Sequence, residues 1–250
     1  MPVPKSHPRY VSLKTRDKIG EGVEKGITSI HGLIAHGRGE AFDYLLGEKT
    51  NDFALKAIEA ACAMLLLAKS PIISVNGNTA ALVPKEIVAL ANLIPAKIEV
   101  NIFHASKERE KKIKEHLIEN GAKEVLLPQK KCKIGYLESN RKYVNPEGIF
   151  LADVVFVPLE DGDRTEALIK SGKKVITIDL NPMSRTAKSA TITIVDNVTR
   201  AVPLMIEKIR NLKEKNNSEL KNVLSAYNNR RILSEAINII KKGKLILVHD

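Results

Sequence analysis

From position 71 onward, short runs of aliphatic and β-branched residues alternate with amphipathic stretches of helical length, and nothing else in the 250-residue chain narrows its fold as much. Strands recurring at that spacing, each followed by a helix, form βα units, and such units build a mostly parallel sheet with helices on its faces. The apolar runs predict strands at 71–75, 97–103, 124–127, 153–159, 174–179 and 191–195. Helices are predicted over 80–93, over 106–120 with a stop at Gly121, from the 160–163 turn to near Gly172, and from Asn197 to about position 215. The polar residues 215–218 then precede a C-terminal helix.

The first 70 residues contain helical stretches and Gly-rich connections but no strand pattern, so they read as a helical layer on the core. The expected organisation is a helical segment 1–70, a sheet core 71–215 and a helical tail 216–250, within one compact whole. The stretch 53–68 is apolar on nearly every face and must be covered. A contact between two subunits is the expectation, with a fully internal helix as the alternative. Between 128 and 148 a polar stretch sets Lys130, Lys131, Lys133, Arg141 and Lys142 around Tyr136 and Tyr143. Long loops in compact domains serve as lids or binding loops, or as solvated excursions.

The longest apolar run, 60–68, falls short of the roughly 20 residues that span a bilayer. The first residues lack the apolar centre of a signal peptide, and Cys62 and Cys132 are too few for a disulfide framework. The expectation is a cytoplasmic protein with no membrane partner. A formal charge of +11 invites nucleic acid as a partner, and residues 206–250 hold ten Lys or Arg against five Asp or Glu. A nucleic-acid-binding protein, or a nucleotide-binding regulator, is therefore the competing reading. Five Phe, five Tyr and no Trp supply few stacking platforms, however, and anionic small molecules suit the charge equally well. Zinc-ligand spacing, a G-x-S-x-G elbow and a Walker A sequence are all absent from the chain.

Anions are held where strand C-termini meet helix N-termini, because free N–H groups and the helix dipole point at the bound charge. Three segments have that form. Asn76-Gly77-Asn78-Thr79 combines close backbone approach with side-chain amides, though Asn-Gly is also an ordinary turn. Asp179-Leu180-Asn181 with Arg185 and Thr186 places a carboxylate, an amide and a guanidinium at one strand end, suited to ribose hydroxyls and phosphate or simply to a capped loop. The acidic turn 160–166 is able to hold Mg2+ or to favour a helix start through its charge. In the segment 32–47, Gly37 and Gly39 flank Arg38 without the spacing of a dinucleotide fingerprint, which leaves a phosphate clamp or a sharp turn.

Several long motifs then converge. Pro4-Lys5-Ser6-His7-Pro8-Arg9-Tyr10, the segment 32–45 with His36-Gly37-Arg38-Gly39-Glu40, Val75-Asn76-Gly77-Asn78, Ala81-Leu82-Val83-Pro84-Lys85-Glu86 and Asp179-Leu180-Asn181-Pro182-Met183-Ser184-Arg185-Thr186-Ala187 together resemble the archaeal 4-phosphopantoate--beta-alanine ligases, over about residues 4–215. The resemblance implies a Rossmann-like core, a homodimer, and condensation of 4-phosphopantoate with β-alanine at the expense of ATP, with AMP and pyrophosphate released. It also implies ATP contacts at Arg16, Arg38, Asp179, Leu180, Asn181, Arg185, Thr186, Asn197 and Val198, of which Asn197 doubles as a plausible helix cap.

The expected chemistry is charge handling. A carboxylate attacking the α-phosphorus of magnesium-bound ATP gives an acyl adenylate, which the amine then opens, and preorganised positive charge with aligned reactants lowers both barriers. Arg38 and Arg16 are assigned to the ATP phosphates. Lys85 is assigned to the 4-phosphate or the α-phosphate charge, with a solvated helix lysine as the alternative. Asn76, Gly77 and Asn78 are assigned to the acid substrate. His36 is assigned to take a proton from the amine, with a structural hydrogen bond as the alternative.

Overall fold

The computed structural model describes residues 3–242. Three helices lead the chain: α1 (Tyr10–Glu24), α2 (Ile30–Leu45) and α3 (Asp52–Leu67). The alternating part follows as β1 (Pro71–Val75), α4 (Gly77–Leu82), α5 (Pro84–Leu93), β2 (Lys97–Val100) and α6 (Lys107–Glu119). A small antiparallel pair comes next, β3 (Gln129–Lys133) and β4 (Tyr143–Val144). Alternation resumes with β5 (Val154–Phe156), α7 (Gly162–Lys170), β6 (Lys174–Ile178), α8 (Arg185–Ser189), β7 (Ile192–Ile194) and α9 (Val198–Leu212). Two helices, α10 (Asn217–Ser225) and α11 (Asn229–Lys242), follow.

Five strands form one all-parallel sheet in the order β2-β1-β5-β6-β7, which makes the fold Rossmann-like. The chain leaves β1 toward β2 on one side and later returns to β5 on the other. Strand order therefore reverses between β1 and β5, and a crevice opens there outside the carboxyl ends of the strands.

Four expectations are corrected. The helix expected over 80–93 is split, because Pro84 has no N–H to continue α4 and instead starts α5. The strand expected at 124–127 shrinks to one parallel bridge from Leu126 to Glu99. The single C-terminal helix is two helices, separated at residues 226–228.

The apolar stretch 53–68, expected to meet a second subunit, lies inside this chain as α3. It packs on α9, α10, α11 and β7, and ten of its residues are buried. The amphipathic tail supplies the missing cover, with Leu220, Ile232, Leu233 and Ala236 turned inward. One hydrophobic cluster consequently runs from Ile19 in α1 to Ala236 in α11, and a second gathers residues such as Ile72, Val144, Val155 and Leu168.

Polar caps fix where the helices of the core begin. The side chains of Asn76, Ser106, Asp161, Ser184 and Asn197 each accept a backbone N–H from the first turn of α4, α6, α7, α8 and α9. Among the described residues no helix is long and apolar enough to cross a membrane.

Candidate active site

Four of those capped helix starts, α4, α7, α8 and α9, follow the carboxyl ends of β1, β5, β6 and β7. Helix α2 lies over them, and between it and the strand ends is a cavity of 440 Å³. His36, Arg38, Gly39 and Phe42 of α2 form one wall, and the loops 159–162 and 179–186 form the other. A smaller cavity of 200 Å³ adjoins it, and Ala35, Asn78 and Leu159 stand in the walls of both. Leu159 occupies the left-handed region at φ 58°, a strained conformation for a branched side chain at the exit of β5.

Most residues singled out in the sequence meet here. Arg38, His36, Asp179, Leu180, Asn181, Arg185, Thr186, Asn197 and Val198 all line the larger cavity, although 141 positions separate Arg38 from Asp179 in the chain. Asn76 and Gly77 line the smaller one. Two residues stand apart: Lys85 is exposed near the start of α5 and lines neither cavity, and Arg16 is half exposed with its Nε donating to Glu40 at 2.9 Å.

Several of these side chains are spent on the fold. Asn76 caps α4 and donates to the carbonyls of Pro158 and Leu159 at 2.9 and 3.1 Å, tying β1 to the exit of β5. Asn78 donates to the carbonyl of Gly32 at 2.9 Å and accepts from Thr28, so it fastens the start of α2. Gly77 must be glycine, since a Cβ there would sit 2.7 Å from the carbonyl oxygen of Ile27. Asn197 is a helix cap as its sequence suggested, and its amide also donates to Asp43 at 2.9 Å.

Arg38 differs from its neighbours. It is exposed on α2 and makes no ion pair or hydrogen bond with any described residue. Arg185, by contrast, is held by Asp163 at 2.9 Å and Glu166 at 3.1 Å. Burial pushes the Asp179 carboxyl above its ordinary range, while hydrogen bonds from Ser184 and the Asn181 N–H and the charge of Arg38 work against that shift. Burial lowers the pKa of His36, whose Nε2 is buried with no hydrogen-bond partner and lies 4.0 Å from Glu40. The structural hydrogen bond that His36 offered as an alternative is thus not made by Nε2.

Sequence reasoning missed the buried charges at the floor. Arg141, from the polar excursion 128–148, is turned inward and pairs with Glu160 and with Asp161 at 2.6 Å. Arg164 is fully buried against Glu160 and reaches Ser74 at 3.1 Å. The excursion is anchored by Glu99, whose carboxylate accepts the N–H groups of Asn145 at 2.9 Å and Ile149 at 2.7 Å. Apart from the i,i+4 pair of Arg164 with Glu160, local sequence gives no signal for this, because the partners lie 19 to 90 positions apart.

The acidic turn 160–166, for which Mg2+ binding and a charge-favoured helix start both stood open, is occupied by the same kind of pairing. Glu160, Asp161, Asp163 and Glu166 are all committed to arginines, and no group of three or more metal-binding side chains exists among the described residues.

Capped helix starts and an unpaired guanidinium thus gather at the carboxyl edge of a Rossmann-like α/β sheet, the place where such folds hold anionic ligands. Residues 53–243 match the family model of phosphopantothenate/pantothenate synthetase. Over 240 residues the chain is 52% identical to the 4-phosphopantoate--beta-alanine ligase of Methanosarcina mazei, spanning 96% of this chain and 94% of that one. It is 53% identical over 236 residues to the protein of the same name from Thermococcus kodakarensis, and 54% identical over 236 to that of Thermococcus onnurineus, in each case across 94% of this chain and 90% of the relative. The chain belongs to the phosphopantothenate/pantothenate synthetase family.

Proposed function

We propose that this chain is an ATP-dependent ligase that joins 4-phosphopantoate to β-alanine through an acyl adenylate, releasing AMP and pyrophosphate on the route to coenzyme A. One observation carries the reading beyond family membership. Arg38, a cation with no acid partner among the described residues, shares the larger cavity with Asp179 at the carboxyl edge of the sheet.

In this reading the nucleotide occupies the larger cavity. Its phosphates lie against Arg38 and the first turns of α8 and α9, and its ribose lies near Asp179 and Asn181. Arg185 and Thr186 flank it, and Leu180 and Val198 supply apolar wall. The acid substrate enters beside Asn76, Gly77 and Asn78, whose turn borders both cavities. Its carboxylate oxygen bonds to the α-phosphorus as pyrophosphate leaves. The neutral amine of β-alanine then bonds to the acyl carbon, AMP departs, and the amine proton passes to a base. His36 is placed for that role, because burial favours its neutral form and Nε2 is unengaged. No covalent protein nucleophile is needed; positioning and fixed positive charge do the catalysis. Magnesium enters as the counter-ion of the triphosphate, and no step is assigned to a protein-held metal.

The working unit is a homodimer formed through α2. Its outer face carries Ile30, Ile34, Gly37, Ala41 and Tyr44 at alternating spacings of four and three, with Leu45 beside Tyr44, all exposed. Small residues at the middle of such a stripe let two copies of a helix approach closely about a two-fold axis.

The direct test mixes the protein with ATP, Mg2+, 4-phosphopantoate and β-alanine. AMP, pyrophosphate and a phosphorylated amide should form in equal amounts. Formation of ADP, or no AMP from folded protein, would reject the assignment.

A further inference from the structure

Between α1 and α2 one carboxylate serves several groups. Oε1 of Glu40 accepts from the Ser12 hydroxyl at 2.7 Å and from Nε of Arg16 at 3.1 Å, and Oε2 accepts from the same Nε at 2.9 Å. A carboxylate offers about four acceptor positions, so one on Oε2 is left. Nε2 of His36, one turn back on the same helix, lies 4.0 Å from that oxygen. The His36 side chain is 9% exposed and lines the larger cavity, while Nε2 itself is buried without a hydrogen bond. The charges that face the ring are Glu40 and Asp43 on its own helix and Arg16 on α1. Asp43 is spent on Arg200 and Asn197, which leaves Glu40 as the acid with room for a further bond.

A proton taken from the attacking amine turns His36 into an imidazolium, in which both ring nitrogens carry hydrogen. Whichever nitrogen receives the proton, Nε2–H then faces Oε2 of Glu40. A cation created in a buried place is costly unless a counter-charge stands beside it. Closing the gap from 4.0 Å to hydrogen-bond length takes a movement of about 1 Å. Adenylate formation, by contrast, releases no proton, since a carboxylate oxygen displaces pyrophosphate directly.

We infer that Glu40 is a positioning residue for the amide-forming half of the reaction: its carboxylate orients His36 and compensates the charge that the ring gains. In that step the amine nitrogen bonds to the acyl carbon, AMP leaves with the electron pair of the broken acyl C–O bond, and the amine proton goes to His36. This rests on the base role given to His36 above. Ser12 and Arg16 hold the carboxylate in place from α1, so the acid is fixed before the proton arrives. A base oriented by a third group is the arrangement that proton transfer from a nucleophile requires.

The experiment separates the two halves in Glu40→Gln, which keeps an acceptor oxygen for Ser12 and Arg16 but removes the charge. Exchange of labelled pyrophosphate into ATP with 4-phosphopantoate present reports adenylate formation. Hydroxylamine, a neutral nucleophile near neutral pH, opens an acyl adenylate without a base, whereas β-alanine needs one. The substitution should lower kcat for amide formation by about tenfold or more, and leave pyrophosphate exchange and hydroxamate formation within about threefold. Burial lowers the His36 pKa and the Glu40 charge works against that shift, so the acid limb of kcat at saturating β-alanine should move to lower pH in the variant. Equal losses with β-alanine and hydroxylamine would reduce Glu40 to a brace between helices and overturn the inference, as would an unchanged amide rate. In His36→Gln, amide formation should fall by about a hundredfold with hydroxamate formation kept. An unchanged amide rate there would remove the base role from His36 and the task of Glu40 with it. Absence of both exchange and hydroxamate in the unaltered enzyme would instead reject the acyl-adenylate reading itself.

Discussion

The guanidinium of Arg200 in α9 meets the carboxylate of Asp43 in α2 at 2.5 Å, and the same group holds Asp196 at 2.6 Å just beyond β7. Thr50 donates to Asp196 at 2.6 Å and Asn197 donates to Asp43, so the helix that carries Arg38 is fastened to the carboxyl edge of the sheet. Both carboxylates are nearly or fully buried. Removing the arginine leaves two acids uncompensated. Arg200→Ala should destabilise the protein by ~3 kcal/mol or more in urea unfolding, as broken buried pairs do. A loss within ~0.5 kcal/mol would show that α2 is held by its apolar contacts alone.

Arg38 should behave in the opposite way. It is exposed and unpaired, so Arg38→Ala has little fold to disturb. If it faces developing charge on the nucleotide, pyrophosphate release should fall by about 100- to 1000-fold with little change in melting temperature. Unchanged pyrophosphate release would remove Arg38 from the chemistry.

Glu99 predicts a pH dependence of stability. Burial raises its pKa to about 7 from the ordinary 4.5, against the opposing hydrogen bonds from Ile149 and Asn145. Between those two values the folded state binds more proton than the unfolded chain. Stability therefore falls as pH rises from about 4.5 to about 7, and the contribution of Glu99 levels off above that. The full effect is on the order of 3 kcal/mol as an upper bound. Urea midpoints across this window should show a negative slope that Glu99→Gln removes; equal slopes in both proteins would assign it to other groups.

The α2 surface is tested by charge. Ile34 is exposed at the middle of the apolar stripe, so Ile34→Glu should cost the isolated fold little. In light scattering after gel filtration the unaltered protein should have the mass of two chains and the variant that of one. A variant that remains dimeric would move the contact elsewhere.

Much of the sheet was legible because parallel strands buried on both faces need continuous apolar runs, and the helices between them, α5 with its proline start excepted, begin with a polar cap. The strands expected at 71–75, 174–179 and 191–195 form at 71–75, 174–178 and 192–194 for that reason, and helices start near Ser106 and Asn197 as expected. The errors arose where a neighbour decided the outcome. The apolar faces of 53–68 fit an internal helix and a subunit contact equally well, and the inward faces of α10 and α11 settled the matter.

The site divides along the same line. By itself the sequence determined the alternating fold and singled out Asp179, Asn181 and Arg185 after a strand and Arg38 between two glycines, since strand ends and residue order are local properties. Only the tertiary structure decided which of those side chains are free. Asn76 and Asn78 proved to be braces, Lys85 stands outside the cavities, and Arg141 and Arg109 line the smaller cavity from distant segments. The reason is physical: whether a charge is paired or exposed depends on what folding brings beside it, and local residue order does not carry that information.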